Sequence, residues 1–141
     1  MSSKEIIIDK DLQIELMKQL EKLETSTDLE GTAIISKTGL RIASSRKSTI
    51  EADLHSAGPA TIINLGNQLS KGLNYGELSE IVISGEDGYT IITVGDEQSN
   101  FMLLSHCKKA SKLGYYFHRL RKAYKNLSQM LKHIELGQAR F

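Results

Sequence analysis

Between Asp9 and Thr25 leucines fall at positions 12, 16, 20 and 23, spacings that set them on one face of a helix. Asp9 or Asp11 stands where such a helix needs an N-terminal cap. Thr25-Ser26-Thr27-Asp28 reads as a loop. The period then shortens: Thr32–Ser36 and Leu40–Ser44 read as two strands of a hairpin. Lys37-Thr38-Gly39 is the turn between them, and Gly39 is free to take a positive φ.

Helical spacing returns over 51–73. Leu54, Gly58, Ile62, Leu65, Leu69 and Leu73 share one stripe, the side expected to pack inward. Pro59 cannot donate an amide to the His55 carbonyl, so it is expected to bend this helix or mark its true start. Three strands follow, Leu78–Ser84, Tyr89–Val94 and Phe101–His106, joined by Gly85-Glu86-Asp87-Gly88 and by the 95–100 loop. Ile81-Val82-Ile83 and Met102-Leu103-Leu104 are unbroken apolar runs, a pattern expected of strands covered on both faces.

A final helix over 110–134 carries Leu113, Phe117, Leu120, Tyr124, Leu127, Leu131 and Ile134 at alternating spacings of four and three. The order helix, hairpin, helix, three-stranded meander, helix predicts an α/β (α+β) fold: a five-stranded antiparallel sheet with helices on both faces. A chain of 141 residues, 40% hydrophobic and 25% charged, suits a single domain over 1–141. Its core is expected over about 10–131, with a leader over 1–9 and a carboxy-terminal extension over 132–141.

Charge is unevenly placed. The chain carries a formal +1 in total, yet residues 1–106 sum to −7 and residues 107–141 to +8. Lys108, Lys109, Lys112, Arg119, Arg121, Lys122, Lys125 and Lys132 make up most of the basic part. Within the last helix, His118, Lys122 and Lys125 lie opposite its apolar stripe. The plain reading is a solvated face; the sharper ones are an acidic protein surface or, through this helix alone, an anionic membrane. Nucleic acid is not expected, since no aromatic residues are arranged among these cations as stacking platforms. One cysteine, Cys107, allows no internal disulfide, and three leader isoleucines are too few for a signal peptide core. A cytoplasmic location is the expectation.

Candidate chemistry is sparse. Cys107 follows His106 and stands eleven residues before His118, with no partnering acid and no nucleophile signature. His55, His106, His118 and His133 lack zinc-ligand spacing. Gly85-Glu86-Asp87-Gly88 has no Lys-Ser/Thr and joins two strands, so it is a hairpin turn and not a phosphate loop. No catalytic residue, metal site or cofactor is expected.

More informative is what 54–70 omits: these 17 residues contain no Asp, Glu, Lys or Arg. Opposite the leucine stripe stand Ser56, Ala60, Asn64 and Asn67, with Ile63 at the margin. The outer face of a helix packed on a sheet is normally charged, and a small, uncharged one suits cover by another chain. With the apolar run Ile81, Val82 and Ile83, those five residues form the expected dimer or partner interface.

The segment Glu30–Ser45 (EGTAIISKTGLRIASS), Gly76-Glu77-Leu78 through Tyr89, and Ser111-Lys112-Leu113-Gly114 together resemble the roadblock (dynein light-chain roadblock) family over roughly 12–131. The resemblance implies a roadblock/profilin-like layered sandwich. It also implies pairing through the central helix and third strand, so that two sheets join. The expected function is a non-catalytic homodimer, or a heterodimer with a roadblock-like paralogue, that binds and regulates or scaffolds a Ras-like small GTPase. It would act by repositioning the GTPase's own switch loops, since no arginine stands out as a finger. The alternatives are a structural subunit of a motor or scaffold complex and, from another class, a small-ligand sensor.

Overall fold

Asp9 caps the first helix, α1 (Lys10–Thr25), with its carboxylate accepting the Asp11 amide at 3.4 Å. At the other end the Thr27 hydroxyl donates to the Leu23 carbonyl at 2.7 Å and accepts the Leu29 amide at 3.2 Å. The predicted loop is thereby an ordered helix exit. Leu16, Leu20 and Leu23 are buried, as their spacing requires.

The computed structural model describes residues 9–46, 57–95, 99–109 and 112–138. After α1 come β1 (Gly31–Ser36), β2 (Arg41–Ser44), α2 (Ala57–Gly72), β3 (Glu80–Ser84), β4 (Gly88–Thr93), β5 (Phe101–Lys108) and α3 (Leu113–Gln138). This is the element order the pattern predicts. Leu54, His55, Ser56 and residues 1–8 of the leader lie outside the described residues.

The strands form one antiparallel sheet in the order β2-β1-β5-β4-β3. The β1–β2 turn closes with Gly39 at φ 98° and the Ser36 amide donating to the Leu40 carbonyl at 2.7 Å. Strands β1 and β5 are central and almost entirely buried, which explains the unbroken Met102-Leu103-Leu104 run. For Ile81-Val82-Ile83 the inference holds only in part, since Ile81 and Val82 pack on opposite faces of the sheet and Ile83 does not. That run forms β3, an edge strand, with Ile81 and Val82 half-buried and Ile83 45% exposed.

Alternation along the strands divides the core in two. On one face Ile34, Ile91 and Leu103 meet α1 and α3, through Leu16, Leu20, Tyr116, Leu120 and Leu127. On the other, Ile35, Ile92, Met102 and Leu104 meet α2 through Ile63. In α3, Leu120, Tyr124, Leu127 and Leu131 of the predicted stripe are buried, Leu113 and Phe117 partly so. Tyr116, outside that stripe, is buried as well.

Candidate dimer and partner interface

Helix α2 carries the largest departure from the sequence pattern. Pro59 lies in its first described turn, and the stretch before Ala57 is outside the described residues. Pro59, Ile63 and Ser70 are buried, and Ala60, Gly66 and Asn67 are half-buried. Positions 59, 63, 66 and 70 therefore define the inner face. Leu65 is 58% exposed, Leu69 64% and Leu73, just beyond the helix, 56%.

The expected orientation of α2 is thus reversed at these positions: Ala60 and Ile63 face the sheet, and the leucine stripe faces outward. The reason is close packing. At Gly66 a Cβ would stand 3.0 Å from a Leu78 methyl and 3.2 Å from one of Ile81. Only a face built from small residues lets the backbone come so near the sheet, so bulky leucines are turned away. The small residues at 60, 66 and 70 are the signal that could have shown the inner side.

Of the expected interface residues, Asn64 is exposed and Asn67 half-buried. Ile81 packs into the α2-side core and Val82 into the α1/α3-side core. The outer face of α2 is nonetheless without charge from Thr61 through Asn64, Leu65 and Gln68 to Leu69; Lys71 follows in the last turn. Tyr75, 76% exposed, continues the apolar surface beyond the helix. Since Gly66 packs over Leu78 and Ile81, α2 lies over the β3 side of the sheet.

The backbone of β3 is equally open. The Val94 amide donates to the Ser79 carbonyl and the Gly85 amide to the Gly88 carbonyl, both at 2.9 Å. In the β3–β4 register these bonds make 79, 81, 83 and 85 the residues bonded to β4. The amides and carbonyls of Glu80, Val82 and Ser84 therefore point outward from the sheet. Strand β2, the opposite edge, has four residues and pairs with β1 through an irregularity at Ile34/Ile35. The longer and more apolar edge is β3, which is secured to α3 by the Glu80–Arg121 ion pair. The hydrogen bond to Glu80, and next its charge, raise the Arg121 pKa above its ordinary value.

The remaining candidates are not brought together. Cys107 is buried on the α1/α3 side, whereas His106 turns to the opposite face beside the Thr90 hydroxyl, 2.9 Å from its Nδ1. Among the described residues no group of three His, Cys, Asp or Glu is placed to hold a metal. None of the described helices is long and apolar enough to cross a membrane.

The result is a three-layered domain, one antiparallel sheet between helices, with an open edge strand beside an uncharged helix. The Roadblock/LC7 domain family model matches residues 16–105, and the chain belongs to that family. The structure is similar to MglB of Myxococcus xanthus, with TM-score 0.78 at 15% identity, covering 92% of this chain and 96% of that one. A structure of MglB in a tetrameric arrangement matches with the same values. A Roadblock/LC7 domain from Streptomyces avermitilis matches with TM-score 0.71 at 12% identity, covering 82% of this chain and 96% of that one. Comparison with curated proteins finds no match.

Proposed function

We propose that this protein is a non-catalytic dimeric module that binds a Ras-like small GTPase in the cytoplasm and regulates or scaffolds it. The observation that carries the reading is the exposed stripe of Leu65, Leu69 and Leu73 on a helix that packs over the open edge strand β3, in a chain of the roadblock family. An apolar, uncharged stripe of this kind is costly to leave in water and suits cover by a second chain. Two copies meeting edge to edge through β3 continue the sheet and bring their α2 helices side by side as one platform. The tetrameric arrangement of the similar MglB supports self-association. The partner copy is this chain or a roadblock-like paralogue.

Pairing absorbs the exposed edge that would otherwise template aggregation. The GTPase then docks on the paired helices, and an effect on hydrolysis comes from shifting its own switch loops. Sedimentation and a binding titration against GTPases loaded with GDP or a GTP analogue test the reading together. A dimer with nucleotide-sensitive binding is expected. Binding that ignores the nucleotide would instead favour a structural subunit of a motor or scaffold complex.

A further inference from the structure

On the face of the sheet away from α2, helices α1 and α3 enclose a groove of about 410 Å³. Four of its lining residues are Lys22, His118, Arg119 and Lys122, and no carboxylate lines it. None of these four makes an ion pair among the described residues. Arg119 instead donates to the Ser26 hydroxyl at 2.5 Å and to the Tyr115 hydroxyl at 3.0 Å, two neutral partners that leave its charge uncompensated. At its base lie Leu20, Leu23 and Leu127, core side chains that are almost fully buried, with Ala123 half-buried beside them.

We infer that this groove is a docking site for an acidic amphipathic segment of a partner protein. Such a segment would set apolar side chains into the groove against Ala123 and its recessed base while its carboxylates meet the cationic walls. Cations drawn from both α1 and α3 suit a ligand lying between the helices. A lysine face that meets a membrane would instead stand proud of the surface. No Phe, Tyr or Trp lines the groove to stack a base. Like-charged groups gathered without counter-ions repel, and an incoming carboxylate relieves that repulsion while steering its own approach. The site lies on the face opposite α2, so it does not depend on the proposed dimer. It would let one module hold two partners at once.

The test is fluorescence anisotropy with the full chain and a labelled twelve-residue probe peptide, with leucines at helical spacing and glutamates elsewhere. A control peptide carries serine in place of each leucine. Saturable binding of the first peptide is expected, weakened at high salt and weaker for the serine control. Lys22→Glu and Lys122→Glu should each reduce affinity about three- to tenfold. Lys132→Glu, outside the groove, should leave it unchanged. The milder Lys22→Gln/Lys122→Gln pair serves if the reversed charges disturb folding, as judged by circular dichroism. Absence of saturable binding overturns the inference, as does an equal loss with Lys132→Glu or equal binding of the serine control. Co-sedimentation with phosphatidylserine vesicles that requires Lys22 and Lys122, without peptide binding, would assign the groove to a membrane instead.

Discussion

The ring of Tyr124 occupies the space in which a side chain at Gly95 would stand. Its hydroxyl donates to the Phe101 carbonyl at 2.7 Å, with the Val94 carbonyl at 3.2 Å, and the ring stacks on Phe101 at 4.3 Å between centroids. One α3 residue thus pins the end of β4 to the start of β5. Gly95, at φ +75°, allows that approach.

Gly95→Ala should therefore destabilise the chain by about 2 kcal/mol or more, combining a strained φ with overlap against a ring held on both sides. Tyr124→Phe keeps the stack but strands two buried carbonyls, with an expected loss of about 1–3 kcal/mol. Urea unfolding of each variant measures both values. If Gly95→Ala matches wild type, the ring is not held as described.

Helix α2 offers a contrast between its two faces. Leu69→Lys should leave circular dichroism and the monomer fold unaltered but shift sedimentation towards monomer, since a lysine in a buried interface typically costs several kcal/mol. Ile63→Lys, which puts charge into the sheet-facing core, should instead unfold the chain. Ala60→Glu should behave like the second and not the first. Two variants of equal effect would show that the faces are assigned wrongly.

The packing at Gly66 allows a graded experiment. Gly66→Leu cannot be accommodated over Leu78 and Ile81 without lifting α2, so a loss of about 1–3 kcal/mol is expected. Gly66→Ala should change little, because the helix gains about 1 kcal/mol of propensity against a tight contact with movable methyl groups. Thermal melts of the pair separate overpacking from backbone effects.

The register of β3 predicts an unusual outcome for proline. The Val82 amide points away from β4, so Val82→Pro removes no bond of the monomer's own ladder. The variant should fold, with a circular dichroism spectrum like wild type, yet fail to dimerise. A folded Val82→Pro dimer would falsify β3 as the seam.

Periodicity alone carried the element order, the helix and strand spans to within a few residues, and the buried leucines of α1 and α3. These elements have one apolar face each, or are buried all round, so composition and spacing leave a single solution. The missing charge of 54–70 was likewise legible, because an uncharged outer face is visible without knowing which side is outer. What the tertiary structure decided is orientation. Helix α2 has two uncharged faces, one of small residues and one of leucines, and spacing cannot rank them. The sheet ranks them, because Leu78 and Ile81 leave room at Gly66 for a bare backbone and none for a leucine. The cationic groove was hidden for the same reason: Lys22 and Lys122 are a hundred residues apart, and only the packing of α1 against α3 makes them neighbours.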